Sequence, residues 1–183
     1  MPVSGVDSRV ALVVRTATPE EHDRVGELTF RGFGHDETSR PDPAREALLR
    51  DAAARAAEGD LLVAADGATG ALVGTASLLR PGSRLNRQAR DGEAELRLLA
   101  VLPHARRSGA GWALMTEAIA RARAWGVPAL VLDTGPTNHA SQRLYDRLGF
   151  VRVPERETQP ALRGGFLAVF RHDLGAIDAG GAS

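Results

Sequence analysis

The 183-residue chain contains neither cysteine nor lysine, and all 23 of its Lys/Arg-type cations are arginine. Without cysteine there are no disulfides, no thiolate metal sites and no acyl-cysteine intermediate. Without lysine there is no Walker-type phosphate lysine and no Schiff-base chemistry of the kind pyridoxal phosphate needs. The formal net charge is zero, so there is no global basic field for nucleic acid. No apolar run reaches the roughly 18 residues of a membrane span, and the first residues lack the charged-then-apolar pattern of a secretory signal. The cytoplasm is therefore the expected compartment. The histidines, His22, His35, His104, His139 and His172, fall on separate segments without metal-ligand spacing, so no metal is expected. No serine sits in a G-x-S-x-G elbow.

What is present reads as one mixed α/β domain, expected over residues 8–173, with a small, polar tail over 174–183 that frays. Residues 10–15 (VALVVR) form a first strand, and Thr18-Pro19-Glu20-Glu21 opens a helix that runs to about Phe30. A polar stretch, 32–43, leads to a second helix over 44–57. Two apolar runs around Asp66-Gly67-Ala68-Thr69-Gly70 give a hairpin. Strand 93–101, helix 112–125, strand 129–133 and helix 138–148 follow, then strands over 150–153 and 166–170. The expected architecture is about seven strands in one largely antiparallel sheet, with about four helices and both antiparallel and parallel pairs.

The stretch Arg106-Arg107-Ser108-Gly109-Ala110-Gly111-Trp112 stands between a buried strand and a helix. A helix start offers unpaired N–H groups and a partial positive charge, glycines admit an anion to the backbone, and arginine forks suit phosphate oxygens. The stretch therefore reads either as a phosphate cradle or as a solvated turn. A dinucleotide fingerprint would use Gly109 and Gly111, with Asp133 on a ribose hydroxyl, but its third small residue is replaced by Leu114.

The pattern Arg-x-x-Gly-x-Gly after a strand and before a long helix resembles the acetyl-CoA-binding motif of the GNAT superfamily of N-acetyltransferases. The resemblance extends over AELRLLAVLPHARRSGAGWALMTEAIARARAWG and ALVLDTGPTNHASQRLYDRLGFVRV, and the leading VVRTATPEEHDRVGEL is similar to the family's first strand and helix. It implies the GNAT-like fold with splayed central strands, acetyl-CoA as co-substrate, and direct transfer of an acetyl group to a primary amine on a small molecule or peptide. By analogy with the family, a homodimer is expected.

The resemblance also implies roles. Glu95 is the general base, directly or through water; its other reading is a partner for Arg97. Glu93 is the substitute on the same strand face. Tyr145, the chain's one tyrosine, is the general acid near the CoA sulfur. Leu99, Ala100 and Val101 supply backbone to the pantetheine arm, with the Leu99 N–H polarising the thioester carbonyl. Arg106, Arg107, Ser108, Gly109, Ala110, Gly111 and Trp112 hold the pyrophosphate. Asn138 either binds the same cofactor or simply caps its helix. The acceptor side would be built from 31–43 and 154–165, where His35, Asp36, Glu37 and Asp42 either meet a cationic amine or form a solvated loop. Two other readings stay open: a non-catalytic acyl-CoA-binding sensor and a dinucleotide-binding oxidoreductase.

Overall fold

The computed structural model describes residues 11–175. Its elements are β1 (Leu12–Thr16), α1 (His22–Gly32), α2 (Pro43–Arg50), α3 (Ala52–Ala57), β2 (Gly59–Asp66), β3 (Leu72–Leu79) and β4 (Ala94–Val101), followed by α4 (Ala110–Ala124), β5 (Ala129–Thr134), α5 (His139–Arg147), β6 (Val151–Arg152) and β7 (Ala168–Asp173). The seven strands form one sheet in the order β1-β2-β3-β4-β5-β7-β6. Every neighbouring pair is antiparallel except β4 and β5. A doubly wound dinucleotide fold needs a mostly parallel sheet, so the topology departs from it. Among the described residues no helix is long and apolar enough to cross a membrane.

Both faces of the sheet are covered. Odd-numbered positions of β2, Leu61 and Val63, pack with Val25 and Leu28 of α1 and Ala52 of α3. Even-numbered Leu62 and Ala64 pack on the other face, with Leu114, Met115 and Ala118 of α4. Period-two alternation in β2 thus serves two helical layers, and β3, between two full-length neighbours, is buried at every position.

Local chemistry explains most boundaries. Thr18 and Glu21 close a capping box around one 3-10 turn, Pro19–Glu21, which leads into α1. Asp66 Oδ1 accepts the N–H groups of Ala68 (2.8 Å) and Thr69 (2.9 Å), which folds the β2–β3 hairpin. The expected second helix, 44–57, is two helices. Asp51 breaks it because its carboxylate accepts the Ala54 N–H at 2.9 Å, starting α3 anew. Helix α4 begins at Ala110, two residues before the expected start. The last strand lies at Ala168–Asp173, beyond the expected 166–170, and Phe166 makes only an isolated bridge with Pro160. The expected domain start at residue 8, Val10 of the first strand and the tail from 176 lie outside the described residues.

One buried cation ties the α1–α3 layer to the sheet. Arg55 donates to Ser77 Oγ (3.1 Å), Thr29 Oγ1 (3.1 Å) and the Leu49 carbonyl (2.9 Å). Burial pulls its guanidinium down to about 10, and these neutral acceptors replace its lost water. Helices α1 and α2 meet closely at Gly26, where a Cβ would stand 2.2 Å from the Arg50 carbonyl oxygen. Gly26→Ala is therefore expected to destabilise by about 1–3 kcal/mol through overpacking. Chemical denaturation would measure it, and an unchanged midpoint would contradict this helix crossing.

Candidate active-site cleft

The cleft follows from an irregularity in β4. Opposite β4, the register with β3 slips between Thr75 and Ser77, so the segment 98–99 faces a single residue. Leu98 sits at φ 53, a left-handed conformation that costs a leucine of order 1–3 kcal/mol. Parallel pairing with β5 is confined to Ala94–Leu96 against Leu130–Leu132. Past that point the strands part, and a cleft of about 740 Å³ opens between them. Leu98 and Leu99 line it, as do Thr134 to Asn138 after β5.

Ala100, Val101 and residues 106–112 do not line this cleft. They continue along β4 to the start of α4. There Gly109 is the N-cap residue at φ 91, preceded by Arg107 at φ 67. A Cβ on Gly109 would meet nothing within 4 Å, so the turn needs glycine for its backbone angle and leaves its surface open to a ligand. Ser108 Oγ accepts the Ala110 N–H at 3.3 Å. Helix α4 has no acidic residue in its first turn, leaving its N-terminal N–H groups without a competing carboxylate. Arg106 donates to the Gly32 carbonyl at 3.3 Å, and Arg107 is exposed. Trp112 is exposed, with the Arg147 guanidinium 5.1 Å from its ring centroid.

Helix α5 forms the opposite wall. Asn138 caps it, its Oδ1 accepting the Ser141 N–H at 3.2 Å, and it also lines the cleft. About two turns beyond Asn138, Tyr145 lines the cleft while only 5% exposed. Its ring lies 5.5 Å from Phe170 and 6.0 Å from Phe150, centroid to centroid. Burial pushes its hydroxyl up to about 12; a hydrogen bond with Ser141 opposes this, Asp133 adds to it, and Thr134 opposes it.

Glu95 is fully buried and does not line the cleft. Its Oε2 accepts three backbone N–H groups, from Arg87 (2.7 Å), Gln88 (2.8 Å) and Ala89 (3.0 Å). Its Oε1 has no hydrogen-bond partner and stands 3.9 Å from Arg97 Nε. Glu93 is committed elsewhere, to Arg156 at 2.8 Å and Arg171 at 2.9 Å. Burial pulls Glu93 upward, but the Arg90 N–H and these guanidiniums hold it below the usual carboxylate range.

The loop anchored by Glu95 delivers Arg87 to Asp133, with Nε–Oδ2 at 2.9 Å, and Gln88 to the same Oδ2 at 2.9 Å. Asp133 is thus occupied by protein donors. Helix α2 supplies Arg45 to the cleft, and the 31–43 segment supplies Phe33, His35 and Asp42. Its carboxylates are largely used locally. Asp36 accepts the Thr38 and Ser39 N–H groups at 2.8 Å, Glu37 is 3.7 Å from Arg40, and Asp42 caps α2 through the Arg45 N–H at 3.0 Å. His35 Nδ1 lies 3.1 Å from the Ser39 carbonyl, which can only accept, so the neutral ring keeps a lone pair on Nε2. Arg45, Arg87 and Arg97 were not foreseen as a group. Arg87 and Asp133 are 46 residues apart, and no spacing in the sequence signals their meeting. Among the described residues no cluster of three or more metal-ligating side chains occurs.

A profile of the family described as "Acetyltransferase (GNAT) family" matches residues 23–150. No curated protein sequence matches the chain. Similar solved structures include the ribosomal-protein-S18-alanine N-acetyltransferase of Escherichia coli, at TM-score 0.69 and 18% identity, covering 94% of this chain and 100% of that one. A Corynebacterium glutamicum protein described as histone acetyltransferase HPA2 and related acetyltransferase has TM-score 0.68 and 26% identity, covering 88% and 95%. Salmonella typhimurium yncA, solved with its cofactor acetyl-CoA, has TM-score 0.64 and 20% identity, covering 94% and 99%.

Tyr145, as the one tyrosine, can be titrated alone by ultraviolet absorbance. Its folded value, about 12, lies above the ordinary 10.0. Its contribution to stability is thus complete below pH 10 and lost as pH rises through about 12, amounting to about 3 kcal/mol. Tyrosinate absorbance that rises with an ordinary midpoint in the still-folded protein would contradict the burial.

Proposed function

The chain belongs to the GNAT acetyltransferase family, and from that premise we propose that it transfers an acetyl group from acetyl-CoA to a primary amine by direct attack in a ternary complex. The observation that carries this reading is the parting of β4 from β5 beside a glycine-capped helix start. Backbone of Leu99, Ala100 and Val101 lies along the parted strand, and residues 106–112 with the first turn of α4 present N–H groups and two guanidiniums for a pyrophosphate. Asn138 contributes from the α5 side. When bound, acetyl-CoA supplies the activated acyl group.

In the transfer the amine nitrogen bonds to the acetyl carbon and the carbon–sulfur bond breaks. The ammonium must first lose a proton, and the leaving sulfur must be stabilised. Tyr145 takes the second role. Its phenol stays protonated at neutral pH, so it presents an O–H to the sulfur. From a hydroxyl near 12 to a thiolate near an ordinary ~8.5, full proton transfer is uphill by about 5 kcal/mol. Tyr145 therefore acts chiefly as a hydrogen-bond donor, with the proton following late or arriving from solvent.

For the first proton we assign Glu95, through a water relay that reaches its buried Oε1, the oxygen that no donor occupies, when the packing over it opens. Its other oxygen holds the 87–89 loop, so the residue has two duties. A second reading is favoured by one observation: the His35 Nε2 lone pair stands on a cleft-lining residue. The cytoplasm as compartment and a homodimer as assembly belong to the same proposal.

Calorimetric titration tests the cofactor. Saturable acetyl-CoA binding is expected, weakened about tenfold or more by Gly109→Ala, whose Cβ strains the φ 91 turn. A folded protein that ignores acetyl-CoA would overturn the reading. Tyr145→Phe is expected to lower kcat on the order of 10- to 100-fold with little change in KM for acetyl-CoA. For Glu95→Gln, a base role removes the rising limb of the pH–rate profile. A loop-anchoring role alone lowers stability and leaves that limb in place, in which case His35→Gln should remove it.

A further inference from the structure

We propose that the acceptor amine carries an oxyanion, a carboxylate or a phosphate, received by Arg45 and Arg97 at the α1–α2 end of the cleft. This rests on the acyl-transfer reading and adds the acceptor's chemical class to it.

The charge inventory of the cleft carries the argument. Its lining includes Arg45, Arg87, Arg97 and Arg163, against the carboxylates of Asp42 and Asp133. Asp133 is taken up by Arg87 and Gln88, and Asp42 by the N-terminus of α2. Both oxygens of Asp133 are thus engaged, and Asp42 keeps only Oδ2 beyond its cap, so the cleft's free charge is weighted toward cations. Arg45, by contrast, has no hydrogen bond or ion pair on any guanidinium nitrogen among the described residues; its one recorded partner is the Phe33 ring, 5.2 Å away. Arg97 donates to the Leu85 carbonyl at 2.5 Å and faces Glu95 Oε1 only at 3.9 Å.

These cations also crowd one another. Burial first, and then the charge of Arg87, press both Arg45 and Arg97 below the ordinary arginine range; Arg45 acts on Arg97 in the same sense, while Asp42 and Asp133 offset this only in part for Arg45, and Glu95 and Asp133 for Arg97. A half-buried cation without a counter-ion is costly, and a planar donor fork is matched best by a carboxylate or phosphate. An incoming oxyanion relieves the repulsion and supplies the missing partner. A polycation such as a polyamine, or a lysine flanked by basic residues, would add to it. Phe33, whose ring faces Arg45, and Leu98, next to Arg97, are apolar, and His35 is the neutral polar group of the same segment, so Arg45 and Arg97 are the cationic handles for the acceptor's anion.

The test compares matched acceptors that differ by the anion: phenylalanine against phenethylamine, and phosphoethanolamine against ethanolamine, with spermidine as the cationic control. Released CoA is read with a thiol reagent, to which a chain without cysteine is silent. The anion-bearing member of at least one pair is expected to show kcat/KM at least about tenfold higher. The pair that responds tells carboxylate from phosphate. Arg45→Gln should raise KM for that member at least fivefold more than for its counterpart without the anion, by the loss of one charged contact, and Arg45→Lys should restore part of the difference. Preference for spermidine or for the amines without an anion overturns the proposal. So does an Arg45→Gln effect that falls on acetyl-CoA affinity and not on the acceptor. Should no amine be turned over, calorimetric titration with N-acetylphenylalanine and N-acetylphenethylamine decides, and equal or absent binding overturns it. Failure of acetyl-CoA itself to bind counts against the transferase reading, and the same product titration still judges the anion site.

Discussion

The left-handed backbone of Leu98 is the constraint on which the site depends. A strand that kept its register would pair with β5 along its whole length, and there would be no gap to hold a ligand. By placing two residues opposite one, β4 turns its later half away from β5 and exposes backbone at mid-sheet. Unpaired main-chain groups in a buried sheet are ordinarily a defect, since each costs about as much as a lost hydrogen bond. Here they border a cleft, and a ligand's amide groups can take the place of the missing strand. The strain at Leu98 is sustained by what surrounds it: β3 on one side, α4 beneath, and the Arg55-bolted helices above.

Around that gap the charges are arranged by loops. Glu95 shows how a residue in a regular strand can organise an irregular segment. With one carboxylate oxygen it gathers three successive N–H groups, and the loop it holds carries Arg87 across to Asp133. The end of β5, the end of the 80–92 loop and the start of β4 are thereby joined in one network at the cleft floor. The carboxylate best placed by sequence for proton chemistry is also a structural tie, and any change there acts on both.

The fold was legible in the sequence where local chemistry and periodicity agree. The capping box at Thr18, the Asp66 hairpin, the glycine before α4 and the apolar run of β2 each specify their element within a few residues. Misplacements came where a side chain competed with the pattern, as Asp51 does within the Ala-rich run 44–57. Tyr145 came from the resemblance of the 129–153 stretch to the GNAT family, and Asn138 from the same resemblance beside its reading as a helix cap; both line the cleft. The arginine group had no such signal. Arg45, Arg87 and Arg97 come from a helix, a loop and a strand, and in a chain whose cations are all arginine nothing marks these three. The acidic character of the 31–43 segment was visible, but the sequence could not tell that turn and cap hydrogen bonds use its carboxylates.

Helix α4 has an indole near each end, and these are the chain's two tryptophans. Trp112 stands 41% exposed in the first turn, next to the glycine-capped loop. Trp125 closes the far end, its ring under the Arg80 guanidinium at 4.1 Å. At 1.5 Å per residue the two are about 20 Å apart. A ligand settling on the loop changes the solvent and polarity around one fluorophore and leaves the other as a constant background. The molecule therefore carries its own emission signal for occupancy of the helix start, read over the steady emission of Trp125 in the native chain without label or substitution.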